Sequence, residues 1–245
     1  MNSKCLIAGL LLASTQVNAA DEVAPWAVSA ELGAITTSGN TQGTSITGKV
    51  DAKQETEHWS NEYIASAFFK EDQKTTDTGE HITEKSAEKY LISAKGGYKL
   101  DSDHATLFVL GSHTRDQFGA YLDYSLLAAG YGDQLYSGDD LTIDAEIGPG
   151  YFKGKTAEDE RQNGMMLRGA AALNWKISSS ATFRQNVSYE LASGNKRSIA
   201  ESSLSTKING SMQMKAAFLI QHDSVVPVGK KSTDTQTSLT LVYSF

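Results

Sequence analysis

The 245-residue chain is poor in cysteine, proline and histidine, with one, three and five of each. The one thiol, Cys5, lies in an N-terminal segment that reads as a secretory signal peptide. That segment, residues 1–19, has Lys4 near its start, an apolar run over 5–13 and small residues at Val17-Asn18-Ala19, so cleavage is expected after Ala19. The exported chain, 20–245, then has no thiol, disulfide or cysteine metal ligand. Past the signal there is no apolar run of the ~18 residues that a membrane-crossing helix needs, which excludes helical spans. A basic surplus is missing too. The formal charge is −7, and losing Lys4 makes it one unit more negative, a poor match to nucleic acid.

What the chain does have is 21 glycines, abundant Ser and Thr, and a period-two alternation of apolar and polar residues. Alternation of that period belongs to strands with one apolar face. Twelve strand-like segments follow one another: 26–36, 44–53, 59–69, 90–100, 104–114, 121–135, 140–152, 164–175, 181–191, 199–208, 212–221 and 234–245. The seventh is clean, with Leu141, Ile143, Ala145 and Ile147 opposing Asp144 and Glu146. The fifth is blurred by consecutive Leu107, Phe108, Val109 and Leu110, and the sixth is imperfect, with Leu122, Tyr124, Leu126 and Ala128 assigned outward. Ser38-Gly39-Asn40, Asp101-Ser102-Asp103 and Asn209-Gly210 are turn signals.

Three regularities point to an all-β, closed antiparallel transmembrane β-barrel of about twelve strands. Segments of about ten residues match a tilted strand crossing a hydrocarbon layer. Connections after even-numbered strands are short, whereas long charged stretches such as 70–89 and 153–163 follow odd-numbered ones. That is the pattern of short periplasmic turns and longer external loops. Trp26, Trp59, Trp175, Tyr98, Tyr243 and Phe245 fall at one rim, and Phe69, Tyr90, Phe152 and Tyr189 at the other, as two interfacial girdles. The last strand alternates through Leu239, Leu241, Tyr243 and Phe245 and resembles the C-terminal signal read by the barrel assembly machinery. Outer-membrane lipid and lipopolysaccharide are the other expected partners. The oligomeric state is open.

Charged residues on lipid-facing positions near mid-bilayer would cost about 2–4 kcal/mol for Lys or Arg, so they are assigned to the lumen. The acids are Glu31, Asp51, Glu62, Asp123, Asp144, Glu146, Glu190 and Glu201; the bases are Lys49, Lys53, Lys95, Lys99, Arg168, Arg184, Lys207 and Lys215. Two readings stand side by side: a narrow hydrophilic passage for small ions or polar solutes, or an ion-paired, closed interior. The near balance of sign argues against strong selectivity. A hydrolase is a third class. His113, near Ser112 and Asp116, is the one suggestive histidine, but adjacent Ser112 and His113 point to opposite faces of a strand and make no dyad. No cofactor or catalytic set is assigned. Asp72, Asp77, Glu80, Glu158, Asp159 and Glu160 offer ligands for divalent cations bridging lipopolysaccharide, against the plainer reading of a solvated face.

Several short motifs, in order, carry a resemblance. They are Thr37-Ser38-Gly39-Asn40-Thr41, Gly148-Pro149-Gly150-Tyr151, Asn186-Val187-Ser188-Tyr189-Glu190, Thr233-Asp234-Thr235, and Leu241-Val242-Tyr243-Ser244-Phe245. Together they resemble the YdiY-like family, a domain-of-unknown-function group described as salt-induced outer-membrane proteins. The resemblance spans essentially the whole exported chain. It implies an outer-membrane barrel and leaves the activity open.

Overall fold

The computed structural model describes residues 26–37, 42–75, 81–100, 104–156 and 158–245. The expected signal peptide, the turns at 38–40 and 101–103, and the acidic residues Asp77 and Glu80 lie outside those residues. Twelve strands are formed: β1 (Trp26–Thr37), β2 (Gln42–Glu55), β3 (Trp59–Thr75), β4 (His81–Lys99), β5 (Ala105–Asp116), β6 (Tyr121–Ser137), β7 (Leu141–Thr156), β8 (Arg161–Lys176), β9 (Ala181–Ala192), β10 (Asn195–Lys207), β11 (Met212–Asp223) and β12 (Thr233–Ser244). Each pairs antiparallel with its neighbours in sequence, and β12 returns to β1 to close the barrel. The closing ladder runs from Ser29–Ser244 to Leu32–Leu241. Both chain ends of the sheet, and the connections after even-numbered strands, lie at one end, called here the turn end. The connections after odd-numbered strands lie at the other, the loop end.

The outward surface explains the alternation. Every strand turns apolar side chains outward, and large ones stay bare: Ile92 is 66% exposed and Leu127 60%. An apolar band of this extent around the whole circumference suits a lipid surround and not water. Aromatic pairs mark its two edges. At the turn end Trp26 stacks on Tyr63 at 6.0 Å and Trp59 meets Tyr98 edge-on at 5.3 Å. At the loop end Phe69 meets Tyr90 edge-on at 5.3 Å. Phe152 does not belong to that rim as expected. It points into the barrel, 3% exposed and stacked on Tyr124 at 5.7 Å, and its neighbour Tyr151 faces outward in its place.

The charged stretch 70–89 differs from the expected loop, because β3 and β4 run on through much of it as paired strands, with β2 still paired to β3 as far as Gln42–Gln73. Beyond the lipid such strands need no apolar face. Backbone pairing suffices there, helped by Glu71 opposite Lys85 across the strands and by the Lys85–Glu88 ion pair at 3.1 Å along β4. A register shift in the β3–β4 ladder falls between Lys70 and Glu71. The β9–β10 connection is a two-residue turn, with Gly194 at φ +96°.

The β6–β7 ladder is interrupted where the two backbones come close. The ladder skips from Ala128–Gly150 to Tyr131–Ile147. A Cβ on Gly130 would lie 2.2 Å from the Ile147 carbonyl oxygen, and one on Gly148 would lie 2.1 Å from that of Ala129. Only two glycines admit this approach. Pro149, which has no N–H to donate, sits in the interrupted rung.

Candidate functional site

The lumen is the candidate site, and contacts between non-adjacent strands define its lining. Lys95 of β4 pairs with Glu146 of β7 across the interior, and Arg168 Nη1 lies 3.4 Å from the same carboxylate. Lys215 of β11 reaches Glu31 of β1 at 3.2 Å and Glu201 of β10 at 3.4 Å. Lys49 pairs with Asp51 at 3.3 Å and Lys53 with Glu62 at 3.2 Å. Lys99 lies 2.8 Å from Glu55 at the turn-end mouth. Arg184 donates from Nε to Asn174 Oδ1 at 3.3 Å, and Gln134 Nε2 donates to Asp144 Oδ1 at 3.2 Å. Lys207 takes the rung opposite Gln213 on the same lumen face. The arrangement is a ring of paired charges around the turn-end half. Water still reaches much of it: the Lys95 side chain is 29% exposed and that of Lys53 50%.

Asp123 is the exception and a correction. It stands opposite Arg115 on β5 and faces outward, 3.9 Å from His113 Nε2. The assignment of Leu122, Tyr124, Leu126 and Ala128 to the lipid face is reversed with it. Tyr124, Leu126 and Ala128 are buried inside with Phe108, Leu110, Phe152 and Met166. Leu126 and Leu127 are both apolar, so periodicity gave the alternation of β6 without saying which phase looked inward. The consecutive apolar run of β5 has the same cause, since Phe108 and Leu110 fill the lumen while Leu107 and Val109 face out.

The loop-end half is filled. Tyr124 donates its hydroxyl to Glu190 Oε2 at 2.5 Å, and the Arg197 guanidinium lies 4.2 Å from the centre of the Tyr124 ring. Arg197 also lies 3.7 Å from Asp223, with both side chains almost fully buried. Asn195 Nδ2 donates to Tyr121 Oη at 2.9 Å and to Asp223 Oδ1 at 3.3 Å. Lys89 donates to Gln221 Oε1 at 3.0 Å and lies 3.6 Å from Asp116. The β11–β12 connection folds over this cluster: Val226 packs against it, and Lys230 Nζ donates to the Phe118 carbonyl at 2.9 Å.

Lys89, Asp116, Arg197 and Asp223 were absent from the sequence assignment because each lay in or beside a stretch read as connection. The available signal was parity. Glu190 continues through the two-residue turn to Arg197, its partner on the next strand, and from there to Asp223.

His113 faces outward with its Nδ1 2.9 Å from Ser125 Oγ, whereas Ser112 and Asp116 look inward. Ser125, His113 and Asp123 thus gather as a polar group. Asp123 is beyond hydrogen-bond reach of the ring, and β5 is paired on both sides, so the local amides are spent in ladders and supply no oxyanion donors. Of the acidic residues named as cation ligands, Asp72 is paired with Lys70 at 2.9 Å and Asp159 with Lys155 at 2.5 Å. Lys155 holds the Asp159 carboxyl below the ordinary carboxylate range by hydrogen bond and charge. Among the described residues no three His, Cys, Asp or Glu side chains converge as a metal set.

The fold is shared with solved outer-membrane channels. The NanC porin aligns with TM-score 0.51 and 10% identity over 89% of this chain and 98% of its own. The COG4313 outer membrane channel from Pseudomonas putida F1 aligns with TM-score 0.53 and 10% identity over 94% and 100%. At that identity the likeness concerns architecture alone. In sequence, the chain is 27% identical over 251 aligned residues to the uncharacterized protein YdiY of Escherichia coli strain K12, covering 98% of this chain and 95% of that protein. The family model DUF481, a protein family of unknown function, matches residues 30–245, and the chain belongs to that family.

Proposed function

We propose that this chain is a non-enzymatic outer-membrane barrel whose lumen is a narrow passive channel for small ions and polar solutes. Both sheet ends face the periplasm in this reading and the odd-numbered connections face outside, after export by the signal peptide and recognition of Leu239, Leu241, Tyr243 and Phe245 by the assembly machinery. The observation that carries the proposal is the water-accessible ring of paired charges below a filled loop-end half. Twelve strands are intermediate between filled eight-stranded barrels and wide porins. Dropping Asp123 and adding Lys89, Asp116, Arg197 and Asp223 keeps the two signs near balance, which supports weak ion selectivity. Small-ion permeability is the property that osmotic or salt adaptation would use.

Planar-bilayer recording tests the proposal. The wild-type protein is expected to give small, discrete conductance steps, and Tyr124→Ala, which removes a ring at the centre of the constriction, larger ones. A second reading, a closed structural barrel, is favoured by the Arg197–Tyr124–Glu190 contacts and by Val226 over them. Silence from both proteins despite verified insertion would establish it.

A further inference from the structure

The outward face of β5–β8 at the loop end carries several cations just above the apolar band. Register places three successive rungs there. The lowest runs Gly111–Leu127–Tyr151–Met165. The next runs His113–Ser125–Lys153–Asn163, and the one above it Arg115–Asp123–Lys155–Arg161. The wall thus changes from apolar to cationic within four residues along each strand, and Tyr151 donates its hydroxyl to Asn163 Oδ1 at 2.8 Å between the two. Four strands at about 4.8 Å spacing spread the cations over roughly 15 Å.

The patch is only partly neutralised. Lys155 is held by Asp159, and Asp123 is 3.9 Å from His113. Among the described residues Arg115, Lys153 and Arg161 make no ion pair. It is also one-sided. On the neighbouring wall the outward Glu88 takes the hydrogen bond of Tyr90 and the ion pair of Lys85. A chain of net charge −7 has gathered unpaired cations on one arc of its rim, just beyond its apolar band.

We propose that Arg115, Lys153 and Arg161, with Lys155 at the edge, bind the phosphates of a phosphorylated glycolipid of the outer leaflet, of the lipopolysaccharide class. The acyl chains lie against Leu127, Tyr151 and Met165, and the sugar-phosphate head meets the cations above. Guanidinium and ammonium groups in the interface give charge-assisted hydrogen bonds to phosphate, and the apolar rung below requires that the anion carry hydrocarbon. This inference rests on the outer-membrane reading of the barrel and not on its conducting.

The test uses the whole barrel in phospholipid nanodiscs, with insertion checked by heat-modifiable migration and protease resistance. Purified lipopolysaccharide is titrated against the wild type, against Arg115→Gln/Lys153→Gln/Arg161→Gln, and against Lys196→Gln, an exposed lysine elsewhere on the loop end. The triple variant is expected to bind about tenfold more weakly or worse, Lys196→Gln to match the wild type, and dephosphorylated lipopolysaccharide to lose the difference. Equal binding by wild type and triple variant overturns the site. Equal binding of phosphatidylglycerol overturns the glycolipid in favour of general anionic-lipid attraction, and competition by inorganic phosphate alone overturns the need for a lipid. If the triple variant fails to insert, Arg115→Gln and Lys153→Gln are read singly, and each must weaken binding. A barrel that inserts, binds lipopolysaccharide and stays electrically silent refutes the channel and leaves this site standing.

Discussion

Arg197 is the residue on which the filled half of the lumen turns. It faces the Tyr124 ring, lies beside Asp223, and occupies the rung opposite Glu190, where a charge is almost cut off from solvent. Arg197→Gln leaves buried carboxylates without their cation, and a loss of about 3–5 kcal/mol is expected in denaturant unfolding of the detergent-solubilised barrel. Tyr124→Phe keeps the packing on Phe152 and removes one hydrogen bond to Glu190, so a smaller loss of about 1–3 kcal/mol is expected. Equal losses would mean that the Tyr124–Glu190 hydrogen bond matters as much as the arginine's charge. At this scale legibility followed solvent contrast. Glu31, Lys49, Lys95 and Glu146 were legible because each alternates with apolar neighbours on a half-charged wall. Asp123 was misread because the lumen wall of β6 is itself apolar, so polarity no longer tells inside from outside.

At the scale of the strand, length was less legible than existence. All twelve strands were visible as segments, the fifth and sixth with blurred alternation, but β3 and β4 extend past their apolar stretch on backbone pairing, which leaves no period-two signature. The Gly148-Pro149-Gly150 motif was visible as a resemblance, and its cause is the close approach of β6 and β7 at Gly130 and Gly148. Gly148→Val puts a side chain on the Ala129 carbonyl and is expected to abolish folding into heat-modifiable barrel. Gly111→Ala, where an added Cβ meets nothing within 4 Å, should leave the yield unchanged. The closing seam offers a direct check of topology. Ala30 and Tyr243 stand opposite each other on β1 and β12. A double substitution, Ala30→Cys and Tyr243→Cys in the exported chain, is expected to form a disulfide on oxidation, because directly opposed strand residues lie about 4.5–5.5 Å apart at Cα. Failure to cross-link, with free thiols confirmed, would count against closure of β1 on β12.

For the whole molecule, the apolar band with its two aromatic edges makes a lipid-embedded cylinder, and its interior is divided along the axis. The turn-end half is a charged vestibule open to water, and the loop-end half is packed with rings, an arginine and buried carboxylates. The first division was legible from alternation and girdles alone. The second was not, since it depends on side chains from β4, β6, β9, β10 and β11 meeting across the lumen at one height. Sided thiol labelling of the Lys95→Cys variant in oriented bilayers tests that division most directly, using a maleimide too bulky to cross the constriction. Modification is expected when the reagent is added at the turn end and protection when it is added at the loop end. Equal labelling from both ends, or from neither, would contradict a vestibule closed on one side.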